Sequence, residues 1–113
     1  MQNLKIDYVE FQTGDIEKSK AFAAQAFGWE FIDYGPAYAD IQKAGLGGGL
    51  NAQTEGADLP PLVVLKSNDL EAALVQVTDA GGVITKPIFS FPGGRRFQFR
   101  EPGGNELAVW SGG

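Results

Sequence analysis

The chain has 113 residues, of which 43% are hydrophobic and 20% charged, and it contains neither cysteine nor histidine. That length is enough for one domain with a sizeable core. The two missing residue types exclude disulfides, cysteine nucleophiles, zinc sites of the Cys/His type and catalysis that depends on imidazole. A metal site would have to consist of carboxylates and neutral oxygens.

The charge balance limits the partners of this chain. Its net charge is −5, from 14 acidic and 9 basic side chains, and the basic residues cluster only at Arg95, Arg96 and Arg100. Phosphate binding needs a larger cluster, so we predict no nucleic-acid partner. No apolar run reaches membrane-spanning length, and the N-terminus lacks a signal-peptide pattern. With no disulfide framework either, we predict a cytoplasmic protein without a membrane partner.

Periodicity divides the first half of the chain into one helix and four strands. Residues 15–27 have helical spacing, and Asp15 is placed to cap this helix while Gly28 ends it. The apolar stripe of the helix consists of Ile16, Ser19, Phe22, Ala23, Ala26 and Phe27. Strands are predicted at 4–11, 29–34, 37–43 and 47–53, and a polar linker at 54–60.

The same pattern then repeats in the second half. A helix is predicted at 69–80, and strands at 62–66, 83–89, 95–100 and 106–110. The segment VEFQTGDIE at 9–17 matches VVLKSNDLE at 63–71, so Asp15 corresponds to Asp69. We therefore predict one α+β domain, residues 1–113, built from two strand-helix-three-strand modules at 1–56 and 57–113. Together the modules should form a curved, mainly antiparallel sheet.

Local motifs accompany this repeat. They are GDIEKSKAF at 14–22 with AFGW at 26–29, NDL at 68–70 with AGG at 80–82, and RFQFREPGGN at 96–105. In order and spacing they resemble the vicinal oxygen chelate superfamily, which includes glyoxalase I, extradiol dioxygenases, fosfomycin-resistance enzymes and bleomycin-resistance proteins. The resemblance implies two half-barrel sheets that leave a cleft, and subunits that pair, so we expect a homodimer.

In the metal-dependent members of that superfamily, the cleft holds a divalent ion bound by His, Glu or Gln. The resemblance places three of the four ligand positions at Tyr8, Leu62 and Ala108, and the fourth within 47–53, where Asn51 and Gln53 are the available weak ligands. Leu and Ala offer no lone pair, and a hard cation needs several converging oxygens. We therefore predict no metal ion, no other cofactor, and neither glyoxalase nor dioxygenase activity.

Strand alternation from these positions predicts which residues line the cleft. The predicted ligand-binding residues are Tyr8, Glu10, Tyr38, Leu62, Phe89, Arg96, Gln98, Ala108 and Trp110. The opposite strand faces are expected to form the core through Val9, Phe11, Val63, Leu65, Leu107 and Val109. Aromatic walls with a few charges are typical of a small-molecule site.

Several of these residues have both a functional and a structural interpretation. Tyr8 and Trp110 either stack on a planar ligand or fill the space of the missing ion. Glu10 either binds a cationic group or acts as a base, or else it pairs with an Arg or stays solvated at the rim. Arg96 either binds a carboxylate or forms a salt bridge. Glu106 is expected to be a solvated strand end.

Three functions remain open from the sequence. The first is a metal-free protein, similar to the bleomycin-resistance branch, that binds a partly planar small molecule without chemistry. The second is a metal-independent lyase or isomerase that uses Glu10 or Tyr8 as its base. The third is a structural or regulatory interaction protein with no small ligand.

Overall fold

Two helices and eight strands follow one another in the computed structural model, which describes residues 1–52 and 59–112. The first five elements are β1 (Lys5–Gln12), α1 (Ile16–Phe27), β2 (Glu30–Asp33), β3 (Tyr38–Gln42) and β4 (Gly47–Asn51). The last five are β5 (Leu62–Lys66), α2 (Leu70–Asp79), β6 (Val83–Phe91), β7 (Gly94–Arg100) and β8 (Glu106–Gly112). This order confirms the α+β class and the repeated strand-helix-three-strand pattern. Gln53 and most of the predicted linker lie outside the described residues.

The chain divides into two compact units, and each has its own sheet pairings. The first unit is Tyr8–Leu62, and the second unit is Met1–Asp7 with Val63–Gly113. In the first unit the strand order is β2-β3-β4-β1, and in the second it is β5-β8-β7-β6. In both units the pairing that involves the first strand is parallel, β1 with β4 and β5 with β8. The other pairings are antiparallel, as the sequence predicts for most of the sheet.

Both helices begin at the aspartates that the repeat aligns. The carboxylate of Asp15 accepts a hydrogen bond from the backbone N–H of Lys18 at 3.1 Å, and that of Asp69 accepts one from Ala72 at 3.1 Å. Such N-caps satisfy amides that have no partner within the helix. Gly28 ends α1 in the left-handed region, with φ of 74°. Neither helix is long and apolar enough to span a membrane, as far as the described residues go.

The second unit has a core of large side chains on the sheet face that meets α2. Its buried cluster consists of Leu70, Ala73, Phe97, Phe99 and Val109. Leu65 and Leu107 pack against this cluster, as predicted, and so does Leu4 from the N-terminal segment. The backbone N–H of Gln2 donates to the side-chain oxygen of Gln76 at 3.0 Å, and the side-chain amide of Gln76 donates to the carbonyl oxygen of Gln2 at 2.8 Å. These two hydrogen bonds hold the segment to α2.

The first unit buries smaller residues, and its helix corrects one prediction. Of the predicted stripe on α1, only Ala23 is buried, whereas Phe22 and Phe27 are 64% and 58% exposed. The residues of α1 that lose most exposure are Ile16, Ser19, Lys20 and Ala23, which recur at i, i+3, i+4 and i+7. This narrower stripe of mostly short side chains turns Phe22 outward. The unit buries Ala39, Ile41 and Leu50 on its strands.

Candidate functional site

Strand register identifies the fourth ligand position that the sequence leaves open. In the first unit Glu10 of β1 lies opposite Gly49 of β4, and in the second Val64 of β5 lies opposite Ala108 of β8. The internal repeat aligns Glu10 with Val64. Gly49 is therefore the counterpart of Ala108, and neither Asn51 nor Gln53 occupies that position.

The side chains at the four positions do not fit a divalent ion. Gly49, Leu62 and Ala108 carry no donor atom, which leaves only the hydroxyl of Tyr8. Leu62 and Ala108 are 7% and 0% exposed and belong to the apolar interior. Among residues 1–52 and 59–112, no group of three or more acidic side chains is arranged to hold a metal ion. Several converging oxygens, which a hard cation requires, are not available at these positions.

Two tyrosine hydroxyls take up the space above Gly49. The Oη atoms of Tyr8 and Tyr38 lie 2.7 Å apart. A Cβ atom at position 49 would overlap both hydroxyls and would lie 2.7 Å from Cζ of Tyr38. Glycine is therefore required for this pair, since it alone lets the two rings approach the backbone so closely.

Each tyrosine of the pair also contacts a carboxylate. Tyr8 Oη lies 3.1 Å from Oδ1 of Asp40, and Tyr38 Oη lies 3.2 Å from Oε2 of Glu10. We call Tyr8, Tyr38, Glu10 and Asp40 the tyrosine network. The strand alternation that carries Tyr38 and Asp40 onto one face of β3 would have predicted Asp40 as a site residue.

Glu10 lies deep within this network. Its side chain is 3% exposed, and its Oε1 atom accepts hydrogen bonds from the amides of Asn51 and Gln12, both at 3.3 Å. The interpretation that Glu10 stays solvated at the rim is therefore wrong. Carboxylates are rarely this buried unless several donors contact them.

The network keeps the Tyr8 hydroxyl protonated. Burial raises the pKa of Tyr8, and the hydrogen bond to Tyr38 and the charge of Asp40 raise it further. A phenol of raised pKa holds its proton more firmly and donates it in hydrogen bonds. This direction opposes a role for Tyr8 as a catalytic base.

An open pocket of about 380 Å³ lies beside Tyr8 in the first unit. Its polar lining includes Tyr8, Asp40 and Gln42, and the turn from Lys43 to Gly47 forms its rim. Lys43 has a φ of 65°, which is uncommon for a residue with a side chain, and its Nζ atom is 2.7 Å from Oε2 of Glu30. Gln42 donates to Oδ2 of Asp40 at 2.7 Å, which leaves Oδ1 facing Tyr8.

In the second unit, the neighbouring strands β5, β8, β7 and β6 carry a row of paired residues. Each residue of the row lies opposite the next, in the order Lys66, Trp110, Arg96 and Phe89. Directly opposed residues share a sheet face, and we call this set the aromatic row. Lys66 Nζ is 5.2 Å from the ring centroid of Trp110, and the guanidinium of Arg96 lies 5.4 Å from Phe89. Both distances are typical of cation–π contacts. The indole N–H of Trp110 donates to Asp7 at 2.9 Å.

Gln98 and Glu106 lie next to the aromatic row. Gln98 is 5% exposed, and its oxygen accepts from Arg96 at 3.1 Å while its amide donates to Glu106 at 3.3 Å. Glu106 also accepts from the hydroxyl of Thr85 at 2.6 Å. Glu106, the first residue of β8, is thus a hydrogen-bonded residue of intermediate exposure.

The structure groups the predicted site residues by unit. Tyr8, Glu10 and Tyr38 join in the tyrosine network, while Phe89, Arg96, Gln98 and Trp110 gather around the aromatic row. Leu62 and Ala108 are buried and offer little or no exposed surface. Sequence reasoning missed Asp40, Gln42 and Gly49. Gly49 has no sequence signal, because only the register shows which glycine of the run meets the tyrosines.

Comparisons with known proteins agree with this fold. The profile of the Glyoxalase/Bleomycin resistance protein/Dioxygenase superfamily matches residues 5–109. None of the curated proteins compared with the chain matches it.

Three solved structures illustrate the likeness. An NAD-dependent benzaldehyde dehydrogenase from Legionella pneumophila is 21% identical with a TM-score of 0.75, over 94% of this chain and 98% of that one. A glyoxalase/bleomycin resistance protein/dioxygenase superfamily member from Vibrio splendidus 12B01 is 16% identical, with a TM-score of 0.71 over 96% and 99%. The Mn(II)-bound glyoxalase from Novosphingobium aromaticivorans is 24% identical, with a TM-score of 0.70 over 95% of this chain and 38% of that one. At such identities the likeness concerns the fold alone.

Proposed function

The chain belongs to the glyoxalase/bleomycin resistance protein/dioxygenase superfamily, and we propose that it binds a partly planar small molecule without a metal ion. One observation carries this proposal. The tyrosine pair above Gly49 takes up the space beside a strand position where the superfamily resemblance expects a metal ligand. Two further ligand positions hold Leu62 and Ala108, which have no donor atoms.

The residues that remain suit binding by shape and hydrogen bonds. The first unit offers the hydroxyl of Tyr8 and the carboxylate of Asp40 at an open pocket. The second unit offers half-buried rings at Phe89 and Trp110 for stacking. Polar groups at an open pocket and half-buried aromatic rings are each usual components of small-molecule sites.

We include a homodimer and a cytoplasmic location in the proposal. Phe22, Phe27 and Tyr34 of the first unit are each more than half exposed, and aromatic residues are enriched in subunit interfaces. A chain without cysteine is compatible with a reducing compartment. Light scattering on a gel-filtration column should give twice the 12.1 kDa mass of the chain.

The deciding experiment is a thermal-shift screen against planar aromatic compounds, antibiotics and small carboxylates, run with EDTA and with divalent ions. We expect at least one planar compound to raise Tm equally in both conditions, since ligand binding to the folded state stabilises it by mass action. Stabilisation by low concentrations of Mn²⁺, Ni²⁺ or Zn²⁺ would contradict the metal-free proposal. Failure of all compounds would favour an interaction protein instead.

A Glu10→Gln variant separates binding from catalysis once a ligand is found. Under the proposal, this variant changes affinity only, because the Glu10 carboxylate is 3% exposed and acts through its hydrogen bonds to the network. If the ligand is turned over and Glu10→Gln abolishes turnover, the protein is instead a metal-independent isomerase or lyase with Glu10 as base.

A further inference from the structure

One face of the sheet in the second unit is positively charged, although the chain as a whole is acidic. The second unit holds six acidic and six basic residues, against eight acidic and three basic residues in the first unit. By strand pairing, four of the six basic residues lie on the face of the aromatic row: Lys66, Arg96, Lys86 and Arg100. Glu106 shares this face, and Asp7 contacts it through Trp110, whereas the other acids of the unit belong to α2, its cap or the β7–β8 turn. Clustered charges of one sign raise the local concentration of oppositely charged ligands, so this face suits an anion.

Lys66 is an exposed cation of this face that lies beside an aromatic ring. Its Nζ atom is 5.2 Å from the ring centroid of Trp110, and across residues 1–52 and 59–112 it has no ion pair or hydrogen bond. The neighbouring Arg96, by contrast, donates to Gln98 at 3.1 Å. An ammonium carries three N–H donors, and a contact with a ring face supplies none of them with an acceptor oxygen. Lys66 therefore donates to a ligand without giving up a hydrogen bond in this part of the chain.

Aromatic surface for a planar ligand adjoins that ammonium. Trp110 is half-buried, and its ring centroid lies 6.3 Å from that of Phe91, which is also half-buried, with the two planes inclined by 48°. The indole N–H of Trp110 donates to Asp7 at 2.9 Å, and this hydrogen bond holds the ring in its orientation. Aromatic rings pair favourably in tilted and offset arrangements, so a ligand ring extends this cluster. Trp110 thus joins a cation and an aromatic surface on one sheet face.

We propose that the aromatic row binds an aromatic carboxylate, whose oxygens accept from the ammonium of Lys66 and whose ring stacks on Trp110. This inference rests on the proposed function and names the charged group of the planar ligand. A charge-assisted hydrogen bond is stronger than a neutral one. The ring contact adds affinity that an exposed ion pair alone does not supply. The site therefore selects planar anions over planar molecules that are neutral or cationic.

Isothermal titration calorimetry with three probes of one shape tests the inference. Benzoate, benzamide and benzamidinium share a ring with a planar substituent, and they are negative, neutral and positive. We expect benzoate to bind, benzamide to bind at least about tenfold more weakly, and benzamidinium to bind more weakly still, because hydrogen bonds between charged groups are the stronger kind and benzoate alone brings a negative charge to Lys66.

Matched lysine variants locate the carboxylate. Lys66→Met removes the charge and keeps most of the stem, so it should weaken benzoate binding by about tenfold or more and change benzamide binding less than about twofold. Lys66→Arg keeps the charge and should retain benzoate binding. Lys86 is equally exposed but has no cation–π contact with a described residue, and β6 lies three strands from β5, roughly 14 Å away. Lys86→Met should therefore weaken benzoate binding less than about threefold, because salt screens exposed charges at that distance. One-dimensional proton NMR spectra establish that each variant is folded.

Tryptophan fluorescence locates the bound ring. The chain contains two tryptophans, Trp29 and Trp110, so Trp29→Phe leaves Trp110 as its single indole. Adding benzoate to this variant should change the emission with the dissociation constant that calorimetry gives, since the ligand ring binds against Trp110. An emission that stays constant at saturating benzoate would contradict stacking on Trp110.

The outcomes separate this inference from the proposed function. If benzamide or benzamidinium binds as tightly as benzoate, or if Lys66→Met leaves the benzoate affinity unchanged, the carboxylate site is overturned. Equal weakening by Lys66→Met and Lys86→Met also overturns it, because the general charge of the face then accounts for binding. In each of these cases, a neutral planar compound that raises Tm in the screen leaves the proposed function intact. If neither the probes nor the screened compounds bind, both proposals fail.

Discussion

The two units fill equivalent helix positions with side chains of different size. In the second unit Leu70 of α2 belongs to the buried cluster, and Leu74 and Val77 pack against it. The first unit has Ile16, Lys20 and Ala23 at the corresponding positions of α1. The same backbone arrangement is therefore supported by a large apolar core in one unit and by a narrow contact in the other. The fold tolerates this because cap residues and strand pairings set the helix position in both.

The sheet faces opposite the helices also differ strongly in chemistry between the two units. At paired strand positions, Glu10, Gly49 and Asp40 in the first unit correspond to Val64, Ala108 and Gln98 in the second. Two residues away on each strand, and so on the same face, Gln12, Asn51 and Tyr38 correspond to Lys66, Trp110 and Arg96. The first face is acidic and hydroxylic, and the second is cationic and aromatic. Duplication of a module thus keeps register while the side chains on it diverge.

The largest expected effect concerns the unequal cores. Phe97 of the second unit is fully buried, so Phe97→Ala should lower the free energy of unfolding by about 3–5 kcal/mol, through lost burial and the cavity that remains. Phe22 of the first unit is 64% exposed, and in the monomeric chain Phe22→Ala should cost less than about 1 kcal/mol. Urea titration measures both. Equal losses would contradict the contrast between the units.

A second prediction, with a smaller expected loss of stability, tests the tyrosine pair. Gly49→Ala should destabilise the protein by about 1–3 kcal/mol, because the added methyl group overlaps both hydroxyls. In a Tyr8→Phe, Tyr38→Phe background the hydroxyls are gone, and the same substitution should cost clearly less. A double-mutant cycle from urea titrations gives the difference. If the cost is the same in both backgrounds, the two hydroxyls are not the groups that require glycine.

The smallest expected effect on stability concerns the β7–β8 turn, which is equivalent to the β3–β4 turn of the first unit. Glu101 opens the β7–β8 turn and accepts from the backbone N–H of Gly103 at 2.6 Å and of Asn105 at 3.0 Å. These bonds, with that of Gly103 the most important, lower the pKa of Glu101 from its ordinary value. The β3–β4 turn instead has Lys43 in the left-handed region.

Because the pKa is lower in the folded state, the contribution of Glu101 is complete above its ordinary value of 4.5 and is lost as the pH falls through the folded pKa. Glu101→Gln should therefore lose stability at neutral pH, and its deficit relative to the parent protein should shrink below pH 4.5. Thermal unfolding from pH 3 to 7 measures this difference. A deficit that stays constant down to pH 3 would contradict the assignment.

Much of the fold was predictable because its signals are local. Asp15 and Asp69 start helices in any context that leaves amide groups to cap, and the alternating strands recur after each helix. The tyrosine network was only half predictable. Tyr8 and Glu10 share a strand, but Asp40 and Gly49 join them through pairing across strands, which the chain order does not show.

By itself, the sequence determined the class of the fold, the duplicated module and the loss of donor atoms at ligand positions, since these depend on residue type and spacing. Only the tertiary structure decided which glycine lies beneath the tyrosines, that Glu10 is buried, and that Phe22 faces outward. Register and packing decide such features, because a shift of one residue along a strand or about 100° around a helix exchanges the inside for the outside.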